Sequence, residues 1–118
     1  INNPIFGTGS GSFPVIFESQ TGFWKGHSHN IFTELAISYG LPSTIIFIVF
    51  LIFILSNSFK KIYNYRLKNI NDKAYWAASL IFLISQLVDV QYFDGRISLV
   101  FWLLLSGLKT IIDEKKLI

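Results

Sequence analysis

The chain has 118 residues, of which 52% are apolar, 17% aromatic and only 14% charged, well below the roughly 25% usual for soluble domains, so a water-soluble fold is a poor fit. It contains no cysteine, which excludes disulfide frameworks, zinc ribbons and thiol nucleophiles. The net charge of +3 sits in one short loop and at the C-terminus, beside apolar runs, which marks membrane topology rather than nucleic-acid binding.

Residues 3–13, NPIFGTGSGSF, alternate glycine with small polar residues. Gly7, Gly9 and Gly11 permit left-handed backbone and would present N–H groups to a ligand. The run lacks the spacing of a dinucleotide fingerprint and follows no buried strand, so nucleotide binding is rejected, and a plain loop is the simpler reading. Beyond Phe13-Pro14, the apolar residues Val15, Ile16, Phe17, Phe23 and Trp24 mix with Glu18, Gln20 and Lys25. That segment is too short and broken to span a bilayer and is expected to lie along its outer interface, anchored by its aromatic residues.

His27-Ser28-His29-Asn30 holds the chain's two histidines. Asn30 is the expected N-cap of a short helix from Ile31 to Tyr39, with Glu34 near its positive end and Gly40 placed to terminate it. His27 and His29 would then sit just before a helix N-terminus, where free N–H groups favour an anion and an imidazole supplies a donor or a base near neutral pH. Histidines at i and i+2 also suggest a metal, but zinc needs a third protein ligand and Glu34 is the only obvious one nearby, so no metal is assigned. The structural alternative is that either histidine merely caps the loop.

From Leu41 to Phe59 the chain reads LPSTIIFIVFLIFILSNSF without a charge. At helical rise this covers about 28 Å, roughly the thickness of a bilayer's hydrocarbon core. Pro42 suits the first turn of that span and Gly40 the end of the preceding one, so the chain should bend at Tyr39-Gly40-Leu41-Pro42. The loop 60–73 carries Lys60, Lys61, Arg66, Lys68 and Lys73 against Asp72, whereas Lys25 is the one positive residue before the span. The positive-inside rule puts that loop in the cytoplasm and the histidines on the outer, periplasmic face. Residues 74–88 and 97–112 then form a transmembrane hairpin within 74–112, with an outer tip at 89–96 in which Asp94-Gly95 signals a turn. Trp76 and Trp102 are expected as interfacial anchors or packing residues. Lys109, Lys115 and Lys116 return the tail, 113–118, to the cytoplasm.

The expected fold is therefore all-α: a fragment of a multi-pass integral membrane protein with three transmembrane helices, preceded by an outer-face loop segment, 1–40, that includes a short helix. Opening on Ile1, it reads as the C-terminal piece of a larger inner-membrane protein.

NPIFGTGSGSF, then HSHNIFTELAISYGLPSTIIF, then the basic loop and a hairpin containing YFDGRISLVFW, resembles the C-terminal part of the bacterial O-antigen ligase and polymerase-like membrane proteins. The ligases carry histidine followed by Asn, Ser or Gln, then nine residues, glycine, two residues, and Gly, Thr or Val. Here His29-Asn30, nine residues, Gly40, Leu41 and Pro42 follow the pattern, and Ser43 departs from it at the last position.

The resemblance implies transfer of a glycan from an undecaprenyl diphosphate carrier to another glycan, lipid A core or a protein, on the periplasmic face and without metal or other cofactor. It makes His29 the main contact to the reacting centre, as base for the acceptor hydroxyl or as a diphosphate ligand, His27 the second, and Asn30 the residue that orients the histidine or the cap. Gly7, Gly9, Gly11 and Asn30 become substrate-binding candidates. So do Lys25 and Arg96, the outer-face positive residues, although Arg96 is expected chiefly to pair with Asp94 or Asp89. The family's arginines lie in earlier outer loops, so this chain alone is expected to be inactive without the remaining N-terminal helices. The alternative is a non-catalytic membrane binding or assembly module of envelope polysaccharide biogenesis or transport.

Overall fold

The computed structural model describes residues 3–64, 70–90 and 94–114. Arg66 and Lys68 of the basic loop, Gln91, Tyr92 and Phe93 of the tip, and Lys115 and Lys116 of the tail lie outside the described residues. Every regular element among the described residues is helical: α1 (Phe13–Thr21), α2 (Ile31–Asn64), α3 (Ile70–Ser85) and α4 (Gly95–Asp113). Two stretches are long and apolar enough to cross a membrane, Leu41–Tyr63 within α2 and Gly95–Asp113. The third expected span is the shorter α3, 16 residues, and does not reach that length.

The chain divides into two compact units, Ile1–Val49 with Ser85–Gln91, and Phe50–Ile84 with Tyr92–Ile118. In the first, α1 occupies the segment that was too short and broken to span, for which no helix was expected. Its signals are Pro14 in the first turn and Gly22 at the C-cap, where φ is 73° and the glycine N–H donates to the Glu18 carbonyl. A nine-residue helix carries too little hydrophobic periodicity to announce itself, so its punctuation is the better guide.

α2 begins at Ile31, just after Asn30, and breaks at Gly40 (φ 86°, ψ 168°), as expected from the Gly-Leu-Pro sequence. The break strands backbone acceptors. Pro42 has no N–H for the Ser38 carbonyl, and the Leu41 N–H turns away to the Pro4 carbonyl at 2.8 Å, leaving the Ile37 carbonyl without its helical donor. The glycine-rich loop supplies both replacements: Thr8 N–H reaches Ile37 O at 2.8 Å and Gly9 N–H reaches Ser38 O at 3.0 Å, while the Thr8 hydroxyl adds a second bond to Ile37 O.

This docking brings backbone against backbone. A Cβ on Gly7 would stand 2.5 Å from the Ser38 carbonyl oxygen, and one on Gly40 would overlap the carbonyl of Ile5. Both glycines also have positive φ, so the contact requires glycine twice over.

The second unit packs the later part of α2, α3 and α4 together. Leu51, Ile54, Ser58 and Ile62 form a buried stripe on α2, and Phe101, Leu105, Leu108 and Ile111 form one on α4, each at the three-to-four-residue spacing of one helix face. Small or locally satisfied polar groups let the helices approach. Ser58 and Ser79 are fully buried with their hydroxyls bonded to the Ile54 and Tyr75 carbonyls, and Gly107 receives the Tyr75 ring, whose hydroxyl donates to the Leu103 carbonyl. Trp76 is a packing residue: its indole N–H donates to the Leu55 carbonyl and its ring tilts against Phe59. Trp102 is half exposed.

Lys61 donates to the carbonyls of Ile112 and Glu114 at the end of α4. A cation there offsets the helix dipole and joins the C-terminal ends of α2 and α4. The outward faces stay apolar, with Ile45, Ile46, Val49, Ile52 and Phe53 exposed on α2 and Leu99, Trp102 and Leu103 on α4. Only 22% and 17% of the two span windows are buried, whereas a soluble protein's core helix would be mostly covered.

Candidate functional site

The histidine loop is organised from its downstream neighbour. Asn30 caps α2: its Oδ1 accepts the N–H groups of Phe32 at 3.0 Å and Thr33 at 3.2 Å. A cap of this type contributes about 1 kcal/mol. Its Nδ2 donates to the Leu87 carbonyl, and the Ile31 N–H donates to the Gln86 carbonyl, so the segment after α3 is fastened to the start of α2. The Glu34 N–H bonds to the Asn30 carbonyl. All the first-turn donors therefore have acceptors within the protein, and the anion site expected at this helix terminus is closed.

Glu34 is also committed. Its side chain is buried, 4% exposed, and accepts the Ser28 N–H at 2.9 Å, which fixes the loop between the histidines. The Ser28 hydroxyl donates to the Asn30 carbonyl. Held from both sides, the backbone at His29 takes φ 56°, a left-handed conformation uncommon for a residue with a Cβ. Such strain persists only where surrounding contacts impose it.

The result is a close pair of imidazoles, with ring centroids 4.3 Å apart and planes inclined by 62°. His29 Nδ1 lies 3.0 Å from Asp89 Oδ1, and the two side chains are about half exposed, at 48% and 51%. Asp89 is thus the partner of His29 rather than of Arg96. Sequence reading placed it in the hairpin tip and could not pair it, because the contact joins residues 60 positions apart. His27 Nδ1 is buried and meets no hydrogen-bond partner among the described residues. The same is true of the Ser38 hydroxyl and of both polar side-chain atoms of Gln86.

Glu34 is replaced as the third potential ligand beside the histidines: one ligand atom from each of His27, His29 and Asp89 falls within 4.8 Å of the others.

The other candidates are arranged differently. The N–H groups of Gly7 and Gly9 are spent on the carbonyls of Asn3 and Ser38, so they are not presented to a ligand, while Gly11 (φ 72°) has open space around its Cα. Asn30 is engaged at both its oxygen and its nitrogen, which makes it the architect of the site rather than a free substrate contact. Lys25 extends over the Phe17 ring, 5.8 Å from its centroid. Arg96 lies at the start of α4, where Asp94 accepts its backbone N–H at 2.8 Å as the helix cap instead of pairing with its guanidinium. Lys109 pairs with Asp113 one turn along α4.

Comparison with protein-family models, with curated proteins and with solved structures finds no match to this chain.

Proposed function

We propose that this chain is part of an inner-membrane glycosyltransferase of the O-antigen ligase or polymerase type, with His29 as the base that activates the acceptor. The observation that carries the proposal is the His29–Asp89 pair at 3.0 Å, half open to solvent and held beside a capped helix start. A carboxylate on Nδ1 favours the tautomer with its proton there, which leaves Nε2 as the free lone pair. It also stabilises the imidazolium that forms when Nε2 takes a proton.

In the proposed step an acceptor hydroxyl gives its proton to His29 Nε2 as its oxygen bonds to the anomeric carbon of the lipid-linked sugar. The bond from that carbon to the carrier's diphosphate breaks, and the electron pair leaves with the diphosphate. The first-turn amides of α2 are already bonded and do not serve the leaving group. That task falls to the upstream arginines implied by the family resemblance.

Leu41–Tyr63, α3 and α4 are assigned as three membrane spans, with the histidine loop in the periplasm. The charge of Lys60, Lys61 and Lys73 supports this orientation. The joined ends of α2 and α4 agree with it, because Lys61 and the α4 C-terminus then share the cytoplasmic side.

The test is His29→Ala in the full-length protein, scored by surface glycan with membrane insertion intact. Loss of glycan is expected, and unchanged glycan removes His29 from the mechanism. A second reading, a non-catalytic assembly module, draws on Phe6, Phe23 and Trp24, which are 86%, 75% and 71% exposed and offer an apolar docking surface. It predicts full function for His29→Ala and loss on replacing those aromatic residues.

A further inference from the structure

We infer that His27, His29 and Asp89 form a binding site for a single borderline transition-metal ion such as Zn2+, and that the metal-bound state is the inactive one. Three observations converge. Ligand atoms of the three side chains all lie within 4.8 Å of one another. Around a tetrahedral zinc with bonds of about 2.0–2.1 Å the ligand atoms stand about 3.3 Å apart, so a modest side-chain adjustment closes the set. His29 Nδ1 and Asp89 Oδ1, at 3.0 Å, are already near that spacing.

The second observation is the buried Nδ1 of His27, which has no hydrogen-bond partner among the described residues. A buried imidazole nitrogen without a partner costs free energy, and coordination through that nitrogen relieves it. The third is the left-handed backbone at His29, beside which the two imidazoles lie with centroids 4.3 Å apart across a single intervening serine.

Donor chemistry selects the ion. Two imidazoles and one carboxylate suit Zn2+ and Co2+, whereas Mg2+ and Ca2+ take oxygen ligands. Three protein ligands leave a coordination position open, and the half-exposed side chains of His29 and Asp89 give water access to it.

The inhibitory consequence rests on the transferase reading. A bound ion claims His29, draws Asp89 from its role as hydrogen-bond partner and leaves no base for the acceptor hydroxyl. Catalysis without metal and arrest with metal are then two states of one cluster.

The test uses the full-length protein in detergent, stripped with a chelator and titrated with Co2+. One equivalent should give the visible absorption of a four- or five-coordinate ion, and Zn2+ should displace it. Asp89→Ala should weaken Co2+ binding at least tenfold. Where a variant fails to fold, His27→Cys in a full-length protein freed of any other cysteine provides a gain of signal: a thiolate on cobalt adds a near-ultraviolet charge-transfer band. No stoichiometric Co2+ spectrum, or a spectrum unaltered in both variants, overturns the site. Transfer by the chelated protein should fall on adding one equivalent of Zn2+, and transfer unaffected by bound Zn2+ overturns the inhibition. Absence of transfer from folded, metal-free protein with an intact Co2+ spectrum defeats the transferase reading and leaves the site standing.

Discussion

His29 and Asp89 meet through Nδ1 and Oδ1 at 3.0 Å, although 60 positions separate them, because the segment following α3 is bonded to the start of α2 by Asn30 and Ile31. Asp89→Asn removes the negative charge and lets an amide nitrogen face the ring, which upsets the tautomer and the imidazolium. On the proposed transferase reading, transfer by the full-length protein should fall about ten- to a hundredfold, the range typical of groups that orient a functional histidine. Membrane protein level should hold, since the pair is half exposed and contributes little to stability. Wild-type glycan from Asp89→Ala would end Asp89's assigned role.

Asn30 fastens the same junction by two different atoms, and its variants should separate them. Asn30→Ala loses the cap on Phe32 and Thr33 and the donor to Leu87, and should lower stability by about 1–2 kcal/mol. Asn30→Asp retains the capping oxygen and adds a favourable charge at the helix start, but cannot donate to the Leu87 carbonyl. Thermal unfolding in detergent should rank wild type above Asn30→Asp and Asn30→Ala lowest. Equal melting of the two variants would mean that the Leu87 bond alone matters.

The glycine loop should divide by position. Gly7→Ala forces a Cβ onto the Ser38 carbonyl and Gly40→Ala onto that of Ile5, at positive φ in both cases, so each should cost more than the roughly 1–2 kcal/mol of a left-handed alanine alone. Gly11→Ala has open space and should cost no more than that conformational amount. If the three variants melt together, the packing of the loop against α2 is not what the glycines serve.

Local chemistry was legible where it depends on neighbours in sequence. Asn30 as a cap, Gly40 as a break before Pro42 and the apolar run from Leu41 all follow from rules that act over a few residues. α1 left only its Pro14 and Gly22 punctuation. The anion site at the start of α2 was misread for a physical reason: a helix terminus has free donors only until the rest of the chain supplies acceptors, and Asn30 and Gln86 supply them. The glycine loop likewise has donors to offer, but Pro42 and the Gly40 break create acceptors for them at Ile37 and Ser38. Asp89 was beyond reach altogether, since nothing near it in sequence indicates a histidine as its partner.

Membrane orientation gives a prediction independent of the chemistry. These 118 residues hold no cysteine, so in a full-length protein freed of any others a single introduced thiol reports only its own side. Gln20 is exposed at the end of α1, before the Leu41–Tyr63 span, and Lys60 is exposed near that span's other end. In right-side-out spheroplasts Gln20→Cys should react with a membrane-impermeant maleimide, and Lys60→Cys should react only after lysis. Labelling of Lys60→Cys alone would invert the topology and place the histidine loop in the cytoplasm, away from periplasmic glycan. Labelling of both from outside would remove the span between them, and with it the reason for reading the exposed apolar faces of α2 and α4 as lipid-facing.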